Sequence, residues 1–462
     1  MIQTIRKAWG IPELRKKIIF TLLILLIFRI GNAITVPYVD VGLLETYLDQ
    51  MGGTILGLYN VMSGGAFAQA TVFALSIQPY INASIIIQLL TVAIPALERL
   101  AKDGGEEGRK KIQSITRYTT VGIAILQAVG YYFMMRNYNL LASDATGIWP
   151  ALVIVVSFIA GSSFVMWMGE QVTEFGVGNG ISIILFAGIL SRVPTMISSS
   201  IESVHRYSAI KDGSLTLESA MSTFGYTEKQ AQAYLDSAVS PVGVVLLIVG
   251  MLALIVFIVF INDAERRIPV QYAKRQVGRK MYGGQSTHLP LRVNTAGVIP
   301  PIFASSLLLF PATMANFDIA DWLKTAASWF TPSSILYNVI FIALIFFFCF
   351  FYTAIIFDPK DVAENLKKAG GFIPGIRPGE KTQEYLDAVL SRLTLWGGVY
   401  ISVISVLPML LIAEFNVPFY FGGTSILILV GVAMDFMSQI ESHLISRQYE
   451  GLMGKTRIKG RS

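Results

Sequence analysis

The sequence is poor in charge. Asp, Glu, Lys and Arg together make up only 14% of its 462 residues, whereas soluble domains contain about 25%. Hydrophobic residues make up 53%, and they are grouped into blocks of about 20, the length that a helix needs to cross a bilayer. The scarcity of charge therefore excludes an ordinary soluble protein and predicts an all-α polytopic membrane protein.

Residues that hold metals or perform catalysis are also scarce. Cys349 is the only cysteine, so an internal disulfide is impossible, and its apolar surroundings predict a packing role. His205, His288 and His443 are far apart and suggest no metal site. The chain contains no HExxH, nucleophile elbow or phosphate loop. We therefore expect no enzyme activity and no cofactor. The first segment is basic and amphipathic, so we do not expect it to be a cleavable signal peptide.

The apolar blocks predict ten transmembrane helices. These are spans 1 to 10, at residues 18–37, 77–96, 118–136, 150–168, 179–198, 241–261, 295–314, 335–356, 394–413 and 424–442. Of the 36 Lys and Arg residues, 29 lie on the side that holds both termini and 6 on the opposite side. The positive-inside rule therefore places both termini in the cytoplasm.

One segment beside span 2 is uncharged but does not cross the membrane twice. The 48 residues from Gln50 to Leu97 contain no charged side chain, and Gly64 and Gly65 interrupt them. Two crossings would place the basic loop 97–117 outside, against the positive-inside rule. We therefore expect Tyr80–Leu97 to cross and Leu58–Phe73 to form a short re-entrant helix beside a cavity, because broken backbone at membrane depth must be buried or line water. A helix resting on the outer leaflet remains the alternative.

Four of the spans carry branched aliphatic residues at helical spacing. These residues are Ile77, Ile81, Ile181, Leu185, Ile299, Ile302 and Ile428, in spans 2, 5, 7 and 10. A ring of such side chains would form a constriction that excludes water and ions by dewetting. Ordinary packing or lipid contact is the other interpretation. The spans are nearly bare of the midplane charges that ion-coupled carriers use.

Two cytoplasmic loops are long and basic. Loop 262–294 predicts a projecting hairpin that turns at Gly283-Gly284, with four cations near its tip: Lys274, Arg275, Arg279 and Lys280. Loop 357–393 predicts a short helix, a turn ordered by Pro and Gly around Arg377, and a second helix. Attraction to anionic lipid and control of topology would explain the charge. Docking of a large partner would also explain the ordered, projecting shape.

Six motifs resemble the SecY family, the channel-forming subunits of the bacterial Sec translocon. They occur in the family's order along nearly the whole chain: ALSIQPYINASIIIQLL, WMGEQVTEFGVGNGISIILFAGI, RRIPVQYAKR, STHLPLRVNTAGVIPPIFASS, GGFIPGIRPGEKTQEYL and FYFGGTSILILVGVAMDFMSQIESHLISRQYE. The resemblance implies a single membrane domain, 1–462, with an hourglass pore between two pseudo-symmetric halves, spans 1–5 and 6–10. The halves cover residues 1–198 and 241–462.

The resemblance also implies the roles of particular residues. The seven aliphatic residues fall on the pore ring, and residues 54–73 fall on the plug that closes the outer funnel. The plug's central residues are Tyr59, Asn60, Val61, Met62, Ser63, Gly64, Gly65, Ala66 and Phe67. Spans 2 and 7, helped by 3 and 8, form a lateral gate, with Gln88 and Gln127 as polar gate residues or structural amides. Arg377 matches an arginine that couples the motor.

The function that follows is translocation of unfolded secretory polypeptides across the bacterial plasma membrane, with lateral release of membrane segments into lipid. The implied partners are SecE, SecG, the SecA motor, the ribosome with its RNA and proteins, signal sequences, nascent polypeptides and anionic lipid. Two features depart from the family, namely Ser76 and Gln78 near the ring and a long outer loop at 199–240 with a capping box at Thr227. A secondary transporter with a re-entrant hairpin is the alternative function.

Overall fold

The structure is a computed structural model of the chain. It describes residues 2–50, 59–60, 63–102, 104–142, 145, 147–224, 228–236, 238–272, 275–277, 280–282, 286–315, 334–415 and 423–454. The first eleven helices described are α1 Ile2–Trp9, α2 Pro12–Gly31, α3 Val41–Gln50, α4 Gln78–Ala93, α5 Pro95–Lys102, α6 Gly105–Asn137, α7 Ile148–Phe175, α8 Gly180–Leu190, α9 Val193–Lys211, α10 Leu217–Phe224 and α11 Glu228–Asp236.

The remaining elements combine long helices with five short strands. They are α12 Pro241–Asn262, β1 Glu265–Tyr272, β2 Arg275–Val277, β3 Lys280–Tyr282, β4 Ser286–Arg292, α13 Ile299–Ala315, α14 Ile335–Ile356, α15 Pro359–Lys368, β5 Gly371–Phe372, α16 Glu380–Phe415 and α17 Gly423–Gly454. An α-helix lies within each of the ten predicted spans, so the prediction of an all-α polytopic membrane protein is confirmed.

By length and composition, seven described helices are long and apolar enough to cross a membrane. The count is eight if α4 and α5, which are bent by 106° relative to each other, form one span together. The bend follows from Pro95, whose ring disfavours helical backbone at the preceding residue, and Ile94 is accordingly extended at φ −109° and ψ 112°. Span 1 is helical in α2, and span 7 in α13 has a shorter apolar stretch, Ile299–Leu308.

Several helices begin at side chains that satisfy their first free N–H groups. Asn179 accepts from the N–H groups of Ile181 and Ser182 at the start of α8, and Ser240 accepts from Gly243 at the start of α12. Pro241 then occupies the first turn of α12, where its missing N–H leaves no helical hydrogen bond unmade. Local sequence therefore fixes where these spans start.

The helices of the two sequence halves meet along two seams. Neighbouring helices pack together within each half, as α4 does with α6 and α14 does with α16. Between the halves, α4 packs on α13 at one seam and α8 packs on α17 at the other. One continuous apolar core extends through both halves. The division into domains at 198 and 241 stays a prediction.

The two basic loops share one small sheet. β1 pairs antiparallel with β4 over Glu265–Gln271, and its last two residues also pair with β5, which belongs to the second loop. Side chains alternate along β1, so Ile268 and Val270 are buried while Arg267 is exposed. Ile373, Leu386 and Leu390 of the second loop pack against them. The loops therefore form one unit with its own core.

The hairpin exists, but its predicted turn was wrong. Val277 pairs with Lys280 in the β2–β3 register, so the chain reverses between these two residues. Gly283 and Gly284 instead fall between β3 and β4, outside the described residues. The paired register of β2 and β3, and not the glycine pair, therefore determines where the hairpin turns.

The outer segment 199–240 is mostly helical. The helix that begins at Val193 continues to Lys211, past residue 199. The segment also contains the short helices α10 and α11. The N–H of Val239 donates to Ser203 Oγ (2.9 Å), which ties the end of the segment to α9. Thr227, the predicted capping residue, lies outside the described residues.

Candidate functional site

The predicted plug is buried against the helix core. Tyr59, Asn60, Ser63, Ala66 and Phe67 are all buried. Residues 54–58, Val61 and Met62 lie outside the described residues. A surface helix on the outer leaflet would expose these side chains, so the alternative of a surface-bound segment is wrong for the part that is described.

Over its described part, the plug is a series of turns and not the predicted continuous helix. Only residues 59 and 60 are helical, and residues 63–70 and 72–77 form turns. The reason is the glycine pair, since Gly64 and Gly65 have φ of +72° and +89°, a left-handed conformation that glycine adopts without a steric cost. Internal side chains complete the turns, because Ser63 Oγ accepts from the N–H of Phe67 (3.1 Å) and Asn60 Oδ1 accepts from that of Ala68 (3.0 Å).

Aromatic side chains clamp the plug. The rings of Phe67 and Tyr131 stack with centroids 4.3 Å apart, and the Tyr131 hydroxyl donates to the Phe67 carbonyl (2.5 Å). The ring of Tyr59 also contacts that of Phe67, with centroids 4.7 Å apart, and the Tyr59 hydroxyl donates to the Leu75 carbonyl (3.1 Å). Tyr131 belongs to α6, so span 3 holds the plug in place.

Close backbone packing also positions the plug. A Cβ added to Gly64 would lie 2.8 Å from the Gly188 carbonyl and 2.9 Å from Ser191 Oγ, both at the outer end of the span 5 helix. The segment that follows pairs with the end of span 1, since the N–H of Val72 donates to the Ile34 carbonyl (2.9 Å) and that of Val36 donates to the Ala70 carbonyl (2.9 Å). The plug thus has partners on spans 1, 3 and 5.

The seven predicted ring residues all lie in the apolar core. Ile77, Ile81, Leu185, Ile302 and Ile428 are buried. Ile181 and Ile299 are half-buried and pack against the same cluster. Each residue sits within two turns of the N-terminal end of its helix, where α4, α8, α13 and α17 begin. A lipid-facing position is therefore excluded for the five buried members, while their role in a pore remains a prediction.

Polar contacts join the helices of the predicted gate. Ser306 of α13 donates from Oγ to Gln78 Oε1 of α4 (3.4 Å), which links spans 7 and 2. Gln88, further along α4, accepts a hydrogen bond from the hydroxyl of Tyr352 on α14, which links spans 2 and 8. Gln127 of α6 is buried, and its Oε1 has no hydrogen-bond partner among the described residues. The departure at Gln78 thus places a polar group in the seam.

The predicted docking residues lie on the unit that the two basic loops form. Arg275 and Lys280 pair with Tyr282 and Val277 in the backbone register, next to the hairpin tip. Lys274 and Arg279 lie outside the described residues. These positions agree with the predicted cationic tip, while docking itself remains a prediction.

Arg377 occupies a rigid, exposed turn. Gly375 and Gly379 flank it at φ +82° and +104°, and its carbonyl accepts from Thr382 Oγ1 (3.0 Å). Its side chain is exposed and makes no ion pair in the part of the chain that the structure describes. The guanidinium is therefore available to a partner.

Sequence reasoning missed the aromatic residues that position the site. Tyr131 and Tyr352 lie in apolar spans where aromatic side chains are common, and nothing in their local sequence separates them from packing residues. Ser306 lies opposite Gln78 across 228 residues of sequence. The one available signal was that each is a polar group within an apolar span, which needs a hydrogen-bond partner when buried.

Comparison with known proteins adds independent information. The sequence profile of the SecY family matches residues 71–437. The protein translocase subunit SecY of Pseudomonas aeruginosa is 47% identical over 455 residues, which cover 98% of this chain and 96% of that protein. Its counterpart in Escherichia coli K12 is 45% identical over 461 residues, with the same shares of the two chains covered.

Solved structures share the fold at low identity. A protein-conducting channel superimposes with a TM-score of 0.62 at 16% identity, over 97% of this chain and 95% of that one. Sec61 in the canine ribosome–channel complex of the endoplasmic reticulum gives a TM-score of 0.58 at 16% identity, over the same shares of the two chains. The profile match and the identities to the bacterial relatives lead to one conclusion, that this chain belongs to the SecY family.

Proposed function

We propose that this chain forms the pore of a protein-conducting channel in the bacterial plasma membrane. It moves unfolded secretory polypeptides outward and releases membrane segments sideways into lipid. The observation that carries the proposal is the buried segment of turns at residues 63–77, clamped between spans 1, 3 and 5 beside the aliphatic residues Ile77 and Ile81. Family membership supports it, since bacterial relatives are named protein translocase subunits.

The ring acts through size and apolarity. Aliphatic side chains make no directional hydrogen bonds, so a constriction built from them imposes no sequence preference on a passing chain. At rest, the same side chains exclude water and ions by dewetting. The channel itself makes and breaks no covalent bond in this process.

The plug seals the outer side and moves aside on opening. Its clamp consists of one aromatic stack and a few hydrogen bonds to neutral groups, each worth about 0.5–1.5 kcal/mol. These interactions hold the segment in place at rest. A polypeptide displaces it when the free energy of polypeptide binding exceeds that of these interactions. The left-handed glycines allow the turn to form next to span 5.

Lateral release occurs at the seam between α4 and α13. The contacts across it are neutral and few, as in the hydrogen bond from Ser306 to Gln78, so an apolar segment that enters the seam replaces apolar packing with equivalent packing. Gln88 and Gln127 are the polar gate residues in this proposal. A signal sequence is the natural ligand, because its apolar region is long enough to form two to four helical turns.

Partners dock on the cytoplasmic unit and on the outer face of the helix bundle. The basic hairpin suits the ribosome, and Arg377 suits the SecA motor, which supplies energy from ATP. Sec61 and yeast Ssh1, whose structures resemble this chain, are both seen in complexes with ribosomes. Ile258 is the one buried residue of α12, and about half of the helix is exposed, which supports coverage of this face by lipid or by small membrane subunits such as SecE and SecG.

The excess of cations on one side supports an orientation with both termini in the cytoplasm. The same cations, notably those on the exposed base of the hairpin, favour contact with anionic lipid. The two halves, 1–198 and 241–462, hinge about the segment 199–240 in this proposal.

A cross-linking experiment with an arrested secretory chain tests the function. A photoreactive residue replaces Ile428, which is buried in the predicted ring, or Val256, which is 68% exposed on the lipid-facing side of α12. We expect the polypeptide to cross-link from position 428 and not from position 256. Equal labelling at both positions, or labelling of a small solute at 428 in place of the polypeptide, would contradict the proposal and favour a transporter.

A further inference from the structure

Arg29 is a cation on an apolar, exposed stretch of span 1. It lies in the last turn of α2 and is exposed. Leu26 and Ile30, near it on the same helix, are 61% and 56% exposed, so this stretch faces lipid. Arg29 makes no ion pair within the part of the chain that the structure describes. Charges inside a membrane are costly and are normally paired, so its position calls for an anion.

Asn32 follows one turn later and presents a buried amide. The residue is 5% exposed, and neither its Oδ1 nor its Nδ2 has a hydrogen-bond partner among the described residues. Buried side-chain amides are nearly always hydrogen-bonded, and an unpaired one needs an explanation. The Asn32 amide therefore marks a place where a further polar group binds.

Arg29 and Asn32 line one cavity between spans 1 and 5. Its volume is about 210 Å³, whereas one water molecule takes up about 30 Å³, so it accommodates a larger group. Ser191, which directly follows α8, also lines it. The rest of its lining is apolar and comes from α2 and α8: Leu25, Phe28, Ala187 and Leu190. The cavity thus combines hydrogen-bond donors and a cation with an apolar wall.

We propose that the phosphate of an outer-leaflet phospholipid binds to Arg29 and Asn32, with its acyl chain against the apolar wall. A guanidinium makes paired hydrogen bonds to phosphate oxygens, and Asn32 Nδ2 supplies one more donor. Phosphate is the anion that the bilayer itself provides, and a long arginine side chain extends toward it from the apolar layer. With both termini in the cytoplasm, α2 runs outward, so its last turn lies in the outer leaflet.

The site joins the two spans that hold the plug. On span 5, Ser191 Oγ donates to the Gly188 carbonyl (2.7 Å) and lies 3.4 Å from the carbonyl of Gly64 in the plug. On span 1, a Cβ at Gly31 would overlap the ring of Phe73, just after the plug. Bound phosphate steadies both supports and favours the resting plug. This consequence, unlike the binding itself, rests on the function proposed above.

Binding is measured on the whole chain with its membrane partner subunits, in vesicles of a diglycosyl diacylglycerol, a lipid without phosphate. Phosphatidylglycerol is added in increasing fractions, and a photoreactive residue in place of Leu190 records which molecule occupies the cavity. We expect the label to move from glycolipid to phospholipid. Arg29→Gln should raise the half-saturating fraction at least about tenfold, the loss of one charge-assisted contact. Arg29→Lys keeps the charge and should raise it less.

Three controls define the ligand and the site. Asn32→Leu removes the amide at similar volume and should raise the half-saturating fraction about two- to tenfold, the range for one hydrogen bond. Arg136→Gln makes the same change in charge in the last turn of α6, where Arg136 is also exposed, and should change it by less than about twofold. An excess of inorganic phosphate should not displace the lipid.

The effect on the plug is measured as the resting ion conductance of the same complexes at a saturating phospholipid fraction. Arg29→Gln should raise this conductance at least about threefold, because a ligand that binds the resting state stabilises that state by mass action. Arg136→Gln should leave it unchanged.

Each part of the inference has an outcome that would overturn it. Unchanged half-saturation in Arg29→Gln, or an equal rise in Arg136→Gln, would refute the site. Displacement by inorganic phosphate, or labelling of a membrane subunit from position 190, would refute lipid as the occupant. Loss of binding without a change in conductance would refute the link to the plug. A complex that binds phospholipid but exports no precursor would refute the proposed function and leave the binding site standing.

Discussion

At the scale of single residues, the predicted ring consists of aliphatic side chains in the apolar core. Ile81 is 3% exposed and Ile428 is 1% exposed, so each is surrounded by other side chains and neither faces lipid. Their side chains lack polar atoms, so in the proposed ring they would contribute to a seal through the space that they fill. Residue volume is therefore the property to vary.

Ile81→Gly should raise the resting ion conductance of the channel at least about threefold, because removal of the side chain widens and wets the constriction. Ile81→Leu keeps the volume and should change conductance little. Single-channel or planar-bilayer conductance of the closed complex provides the measurement. A strong loss of activity on Ile81→Leu would instead indicate a shape-specific solute site.

At the scale of elements, the plug depends on one glycine contact with span 5. Gly64 and Gly65 both have positive φ, so an alanine at either position has a similar backbone cost of about 1–2 kcal/mol. They differ in their surroundings. A Cβ at Gly64 would lie 2.8 Å from the Gly188 carbonyl, whereas at Gly65 the nearest atom is Arg192 Nη1 at 3.5 Å.

Gly64→Ala should therefore push the plug turn away from α8 and raise the resting ion leak by more than Gly65→Ala does. We expect a difference of at least about threefold, since overpacking against backbone typically adds about 1–3 kcal/mol. Conductance of the resting complex measures it. Equal leaks in the two variants would mean that contact with α8 does not seal the plug.

The hairpin is a second element whose geometry leads to a prediction. Arg275 lies beside the tip, paired with Tyr282, whereas Arg266 lies at the base, paired with Leu291. Arg275→Glu should weaken binding to ribosomes and reduce the salt slope of the affinity by about 1 for each phosphate that is no longer neutralised. Arg266→Glu makes the same change in charge away from the tip and should have the smaller effect.

Binding measured over a range of salt concentrations decides between docking and topology. If affinity responds neither to salt nor to either reversal, the hairpin cations serve only to orient the chain in the membrane.

At the scale of the whole molecule, the unit formed by the two basic loops is connected directly to the membrane helices. β5 joins the hairpin sheet, and the same loop continues through the Arg377 turn into α16, which runs from Glu380 to Phe415 as one helix. Leu386 and Leu390 of that helix pack under the sheet, and the helix then packs against α14 and α17. A partner that binds the Arg377 turn therefore acts on helices of the bundle.

Arg377→Glu should reduce motor-driven export by at least about tenfold while topology and assembly of the complex stay intact, because a paired contact to a carboxylate becomes repulsive. Arg377→Lys should retain motor binding and lose part of the export rate, since an ammonium does not reproduce the planar fork. Motor binding and export are measured separately. Arg392→Glu, in the same loop, is the control for net charge.

Normal export by Arg377→Glu would leave Arg377 as one more cytoplasmic cation. Equal loss of export in Arg392→Glu would assign the effect to the charge of the loop and not to the geometry of the turn.

The sequence by itself determined the fold class and the helices. The scarcity of charge and the apolar blocks required a polytopic helical membrane protein, and an α-helix lies within every predicted span. These features depend on local composition, because a helix satisfies its own backbone hydrogen bonds within one segment. Local turn chemistry likewise predicted the ordered turn around Arg377, whose flanking glycines have positive φ.

Only the tertiary structure decided which distant groups meet. Tyr131 binds the plug from 64 residues away and Tyr352 binds Gln88 from 264 residues away, and no periodicity records such pairs. The plug's turns, in place of the expected helix, and the reversal of the hairpin between Val277 and Lys280 also depended on packing and register. The physical reason is that composition specifies which segments are buried, while the partner of a buried polar group is chosen by the three-dimensional arrangement of the helices.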